Sequence, residues 1–162
     1  GETVDDWSTE RFWEAFTHRL GTLGQQVKTG EPIEKSSAPL RSYVSEPMRY
    51  GRLFLAGDSA HIVPPTGAKG LNLAFADVRR LSRAIALWKS SGSDAALESY
   101  SLDALARVWK IERFSWYLTS MMHQFPEHAG CEKRMQRAEF DYIRSSEAGQ
   151  STIAENYVGL PF

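Results

Sequence analysis

Apolar and polar positions along this chain recur mostly at helical spacing. Phe12, Trp13, Phe16 and Leu20 share one face of a predicted helix. Ser8 is placed to cap it, Trp7 and Phe12 are spaced as a hydrophobic staple, and Gly21 and Gly24 end it. From Glu31 to Met48 the pattern changes. Ile33 to Ala38 and Leu40 to Val44 read as short extended runs, and Pro32, Pro39 and Pro47 among them favour edge strands. Arg52-Leu53-Phe54-Leu55-Ala56 reads as a nearly continuous apolar strand of the kind buried on both faces, stopped by Gly57-Asp58. A loop rich in proline and glycine runs from Ile62 to Gly70. Leu71, Phe75, Val78, Leu81, Ile85 and Trp88 then recur at steps of three or four, which predicts a long amphipathic helix ending near Ser90-Ser91-Gly92.

The rest of the chain reads as mostly helical. Asp94 is a candidate cap for a helix carrying Leu97, Tyr100, Leu105, Val108 and Trp109 and continuing through Phe114, and a further helix is expected from Cys131 to Arg144. Phe125-Pro126 and Gly130 mark a turn between them, and Gly159 and Pro161 mark an irregular tail. The fold class is therefore α+β, mostly helical. The expected divisions are a helix with short strands over 1–50, a strand-loop-helix unit over 51–92 and a helical region over 93–162.

Composition narrows the function classes. With 162 residues, 42% of them hydrophobic, the chain is long enough for one ordinary domain with a core. Nineteen basic against twenty acidic residues leave a net charge of -1, so no global field favours nucleic acid or anionic lipid. The single cysteine, Cys131, can form neither an internal disulfide nor a cysteine zinc cage, which points to a cytoplasmic location. No apolar run approaches the roughly 18 residues a membrane span needs, so no membrane association is expected. The chain opens at Gly1 without an initiator methionine and reaches a packed pattern almost at once at Trp7, so a piece of something larger is expected.

Candidate chemistry gathers around Gly57-Asp58. Ligands of α/β sheets collect at the carboxyl ends of strands, and Asp58, an acceptor when ionised, suits the hydroxyls of a ribose or ribityl chain. An Asx-turn aspartate is the competing reading. Pro64-Pro65-Thr66-Gly67-Ala68-Lys69-Gly70 leads into a helix start, where unpartnered N–H groups and the helix dipole favour an oxygen that becomes negative, such as a phosphate or the pyrimidine edge of a reduced flavin. Asn72 adds either a side-chain hydrogen bond to the same ring or a cap. A phosphate-binding P-loop is excluded, because Ala68 separates Gly67 from Lys69 and Gly70 follows instead of Ser or Thr. Asp58, Ser59 and His61 have the residue types of a hydrolase triad but stand too close together in sequence, which leaves His61 as a loop anchor. His18, His123, His128 and Cys131 lack metal-ligand spacing, and no metal is expected. Trp88, Trp109, Phe114, Trp116 and Tyr117 suit packing within or between subunits.

The stretch Gly51-Arg52-Leu53-Phe54-Leu55-Ala56-Gly57-Asp58-Ser59-Ala60-His61, with Pro64 to Leu73 after it, closely resembles a motif of the single-component, flavin-dependent aromatic hydroxylases. Ala38 to Arg41, Glu112 to Trp116 and Ala154 to Pro161 extend the resemblance from about Asp6 to the end. It implies that 1–50 belongs to a substrate-binding domain, that the parent is a Rossmann-like flavoprotein, and that FAD is the cofactor with NADPH as cosubstrate. Asp58 would hold the ribityl chain. Gly57, Lys69 and Gly70 would line the cofactor, and the backbone at Leu71 and Asn72 would contact the flavin's pyrimidine edge. The Pro65 carbonyl would face the phenolic hydroxyl of an aromatic substrate, with Thr66 in the same pocket. Arg41 would meet the NADPH phosphates, a task suited to a permanently charged, bidentate group. Tyr157 would be catalytic, as part of a phenol chain that removes the substrate proton. Dimers are usual in the family, so a homodimer through the carboxy-terminal helices is expected. Ser59 departs from the family's usual alanine and Phe75 from a usually small residue. The family's G-x-G-x-x-G turn for the FAD pyrophosphate is not in this chain, so weak FAD binding and no turnover are expected of it alone.

Overall fold

Ser8 opens the first helix as its spacing predicts. In the computed structural model, which describes residues 2–38, 40–125 and 130–159, its Oγ accepts the Arg11 N–H at 3.2 Å. The sequence expectations at Pro39, Pro126, His128, Leu160 and Pro161 lie outside the described residues. The chain falls into two compact units, Gly1–Pro39 and Leu40–Phe162.

In the first unit, α1 (Thr9–Leu20) ends at Gly21 and a 3-10 stretch follows over Gly21–Gln26. Along α1, Phe12 and Phe16 stack at 6.1 Å between ring centroids, and Trp13 meets both edge to face at 5.3 and 5.7 Å. Trp13 Nε1 donates to the Gly30 carbonyl at 2.7 Å and Lys35 Nζ to the Trp7 carbonyl at 2.8 Å, so side chains fasten the irregular segment onto the helix. The extended run expected at Ile33 to Ala38 is not a strand, and Ile33 is fully exposed. Pro32 removes a ladder donor, and no described strand of this unit offers a pairing edge.

The second unit has short strands and long helices. β1 (Tyr43–Val44) pairs antiparallel with β4 (His61–Ile62), and β2 (Arg49–Tyr50) pairs antiparallel with β3 (Leu53–Phe54) across a tight turn at Gly51. The strand expected over Arg52 to Ala56 is therefore shorter than its apolar run. It is also not buried on both faces, since Leu53 is 62% exposed. A single partner strand covers one edge, while Phe54 and Leu55 turn toward the core of Met48, Ala60, Tyr100 and Ala104.

α2 (Gly70–Ser91) and α3 (Ala95–Met122) supply most of the buried apolar residues of this unit. Leu73 clusters with Val108 while Leu81 packs on the Tyr100 and Ala104 cluster, so the two helices run in opposite directions. α2 ends at Gly92 as the sequence predicts, whereas α3 runs well past Phe114. Asp94 sits at the start of α3 but its side chain does not cap it; it pairs with Arg52 at 3.7 Å. The Tyr100 hydroxyl donates to the Leu55 carbonyl at 2.8 Å and the Met48 N–H to Ser101 Oγ at 2.9 Å, which ties the β2–β3 ribbon to α3.

α4 (Gly130–Ser145) matches the predicted helix, and its Gln136 amide reaches the Met121 and His123 carbonyls at 2.7 and 2.9 Å, satisfying the end of α3. A further helix, which no pattern in the sequence marked out, follows it within the region expected to be helical. α5 (Glu147–Val158) is capped by Ser146 Oγ, which accepts the Gly149 N–H at 3.2 Å. Its apolar residues lack helical periodicity, and its anchors are polar contacts to α3 and to the start of α2, which a search for apolar faces does not find. No described helix is long and apolar enough to cross a membrane.

Candidate functional site

The end of β3 and the start of α2 are held together by a buried aspartate. Gly57 has φ +63°, a conformation that favours glycine, and an added Cβ would sit 3.2 Å from Ala74 Cβ, so the turn lies tight against α2. Asp77 Oδ2 accepts the Gly57 N–H at 3.0 Å and meets His61 Nε2 at 2.6 Å, with both side chains 1% exposed. Thus one carboxylate fixes the residues on either side of Asp58. Ser59 Oγ donates to the Ala56 carbonyl at 2.8 Å and closes the turn. Asp58 is left exposed on this fixed turn, bonded to none of the described residues.

Beyond His61, Pro65–Gly67 forms a 3-10 turn whose Pro65 carbonyl accepts the Ala68 N–H at 2.8 Å. Ala68 takes φ +50°, which a residue with a Cβ seldom adopts. Thr119 Oγ1 donates to the Ser115 carbonyl at 2.8 Å, so the Thr66 hydroxyl donates to Thr119 Oγ1 and keeps only its acceptor capacity for a ligand. Gly67 packs on Ser115, whose Oγ would lie 2.8 Å from an added Cβ.

At the start of α2 no side chain caps the helix. Geometry leaves the N–H groups of Gly70, Leu71 and Asn72 without intrahelical acceptors, and the dipole is positive there. Leu71 is 70% exposed and Asn72 is exposed as well, so the helix start is open. Lys69, by contrast, is buried. Its ammonium donates to the Tyr157 carbonyl and lies 5.4 Å from the centre of the Tyr157 ring. The lysine thus fastens α5 to the glycine-rich loop and leaves the Tyr157 ring 54% exposed. Asn156 is fixed in turn by Arg113 Nη2, which donates to its Oδ1 at 2.7 Å.

The structure therefore brings Lys69, Gly70, Leu71 and Asn72 together with Tyr157. Arg41 stands apart on the approach to β1, exposed, beside Ser42, whose hydroxyl donates to the buried Glu112 at 2.8 Å. The sequence reading missed Asp77. Its signal was an acidic residue on the apolar face of α2, four positions after Leu73. His61 is the loop anchor expected, with Asp77 as its unforeseen partner.

The donor set fits FAD. An unpaired carboxylate at a strand end suits ribityl hydroxyls, and an uncapped helix start without a blocking side chain suits a ring edge that gathers negative charge.

A family model described as "FAD binding domain" matches residues 1–115. The p-hydroxybenzoate hydroxylase of Acinetobacter baylyi is 52% identical over 160 residues, which are 98% of this chain and 40% of that protein. The tetracenomycin A2 monooxygenase-dioxygenase of Streptomyces glaucescens is 40% identical over 87 residues, 53% of this chain and 15% of the relative. A 3-(3-hydroxy-phenyl)propionate/3-hydroxycinnamic acid hydroxylase of a Mycobacterium is 33% identical over 100 residues, 61% of this chain and 16% of the relative. The chain thus spans less than half the length of the curated relatives it matches. Its matched residues contain the β3 turn, the glycine-rich loop and all of α2, and on that evidence the chain belongs to the FAD-binding-domain family.

Proposed function

We propose that this chain is the carboxy-terminal part of a flavoprotein monooxygenase that converts 4-hydroxybenzoate to 3,4-dihydroxybenzoate with FAD, NADPH and O2. The observation that carries this reading is the 52% identity to p-hydroxybenzoate hydroxylase along 98% of the chain. The remainder of such an enzyme would supply the Rossmann-like layer and the pyrophosphate site.

In this reading Asp58 accepts hydrogen bonds from the ribityl chain, held in place by Gly57 and Asp77. The Leu71 and Asn72 backbone N–H groups meet the pyrimidine edge, with Gly70 permitting close approach and Lys69 adding fixed positive charge beneath. FAD, when bound, would supply the redox chemistry: acceptance of a hydride from NADPH and insertion of one oxygen atom of O2 at the ring carbon beside the phenol, the other leaving as water. Pro65 and Thr66 line the substrate's phenolic end through acceptor groups. Tyr157 passes the phenolic proton outward, which raises electron density on the ring; it acts as a relay with partners and not as a lone base. Arg41 takes the NADPH phosphates. Trp109 and Trp116, 52% and 67% exposed on α3, suit a homodimer contact.

The test is hydroxylation by the complete protein carrying Tyr157→Phe. The reading expects FAD to stay bound and 3,4-dihydroxybenzoate formation to fall by about 100-fold, within the usual range of positioned proton transfer. Undiminished turnover would remove Tyr157 from the mechanism. Product identification with other phenolic acids separates 4-hydroxybenzoate from a sister substrate.

A further inference from the structure

The Pro65–Gly67 turn is seated on α3 at two places one helical turn apart. Ser115 and Thr119 stand four positions apart on α3 and so share a face. Ser115 is fully buried against Gly67, where an added Cβ would crowd its hydroxyl. Thr119, half-buried, meets Thr66, and the two hydroxyl oxygens are 2.8 Å apart. The turn that carries Thr66 is therefore fixed on the helix that carries Thr119.

Counting hydrogens sets the direction of this contact. A threonine hydroxyl has one hydrogen to donate and two lone pairs. Thr119 Oγ1 commits its hydrogen to the Ser115 carbonyl at 2.8 Å, so toward Thr66 it can only accept. The Thr66 hydrogen then points back at α3, and what this hydroxyl offers on its other side is lone-pair density. The adjacent Pro65 carbonyl is an acceptor too, with a second lone pair beside the bond it takes from the Ala68 N–H. Two neighbouring groups of the turn thus present acceptors. A hydrogen-bond donor is satisfied there, whereas another acceptor is left facing oxygen lone pairs.

We propose that Thr119 is a specificity-determining positioning residue: by accepting the Thr66 hydrogen, it makes the phenolic end of the pocket select a substituent that donates a hydrogen bond over one that can only accept. The inference rests on the reading that Pro65 and Thr66 line that end of the substrate. Thr119 acts through Thr66 and does not itself touch the substrate. A site built around such a contact rejects an analogue that lacks the hydrogen, because the site's own acceptors are then unpaired.

The test measures dissociation constants by calorimetry, using the complete protein with its FAD, for 4-hydroxybenzoate and for 4-fluorobenzoate, whose fluorine donates nothing. The ratio of the two constants is the readout, since loosened packing weakens both ligands alike. The parent is expected to prefer the hydroxyl. Thr119→Val keeps the branched shape, removes the acceptor and frees the Thr66 hydrogen to turn toward the ligand. It should lower the preference about fivefold, near the worth of one neutral hydrogen bond. Thr119→Ser retains the oxygen and should keep the preference within about twofold of the parent's. Thr66→Val should lower the preference as well, and adding Thr119→Val to it should lower it no further, because the two residues act as one unit. If Thr119→Val does not fold, Thr119→Ala removes the same oxygen and takes its place. The inference fails if the parent binds both benzoates equally, if the preference survives loss of the Thr119 oxygen, or if the double variant loses more than Thr66→Val alone. A parent that binds neither benzoate overturns the substrate reading itself, and this inference with it.

Discussion

α1 and α2 carry apolar residues at the same helical spacing, yet the two regions bury them very differently. Phe12, Phe16 and Leu20 of α1 remain 42%, 40% and 38% exposed within the first unit. Leu73, Ala76 and Ala84 of α2 are sealed to 0%, 2% and 5%. The difference lies in what faces each helix. α3 lies along α2 and contributes Val108 and Ala104 to shared clusters, whereas the irregular segment beside α1 fastens to it by hydrogen bonds to Gly30 and Trp7. An apolar stripe names the face that wants cover; burial follows only where another element supplies apolar atoms.

The largest expected effect is in the second unit. Asp77→Ala strands His61 and the Gly57 N–H in a sealed interior, and the urea midpoint of that unit should fall by the equivalent of about 4 kcal/mol. An unchanged midpoint would mean that the β3 turn is held by packing alone. Leu73→Ala tests the core itself and should cost about 3 kcal/mol. Phe16→Ala in the first unit should cost less than about 1 kcal/mol, because much of its ring is in water already; equal costs would erase the contrast between the units.

A steric prediction comes next. Gly67→Ala pushes a Cβ against Ser115 Oγ and should destabilise by about 2 kcal/mol. The cost should shrink in a Ser115→Ala background, and a double-mutant cycle measures that coupling. In the first unit Ser8→Ala removes the cap of α1 and should cost about 1 kcal/mol, seen as faster amide exchange in its first turn.

The smallest effect depends on pH. Burial, and then the hydrogen bond to Glu139 and that group's charge, push the Tyr117 phenol up to about 12. Because the folded protein keeps a proton that the unfolded chain releases near pH 10, this contribution is intact below about pH 10 and is lost as pH rises toward 12. Tyr117→Phe should flatten that part of the alkaline stability curve. Tyr100, also raised, by burial first and then by Asp77, keeps the rest of the slope.

α1, α2 and α4 were legible in the sequence because each carries its own signals: Ser8 and Gly21 around α1, Gly92 after α2, and periodic faces within all of them. The Gly57-Asp58 turn was legible as a candidate place for hydroxyl donors, and the glycine-rich loop as a candidate place for a developing negative charge, because strand ends gather ligands and helix starts have fixed backbone polarity. α5 was not legible. Besides packing on α4, it is held by a lysine 88 positions away in sequence and an arginine 43 positions away, and no local pattern records such partners. The Arg52 to Ala56 run shows the opposite error: apolar composition announced a buried strand, while the available partner edge made a short, half-covered ribbon.

The sequence by itself determined the start of α1, the end of α2 and the extent of α4, which faces are apolar, and which residue types could meet a flavin, since these depend on neighbours within one or two turns. Only the tertiary structure decided that Asp77 anchors both Gly57 and His61, that Lys69 turns to Tyr157, and that Thr66 meets Thr119. The physical reason is distance along the chain: buried polar groups must find partners wherever the fold brings them, and those partners lie many residues away, beyond the reach of periodicity.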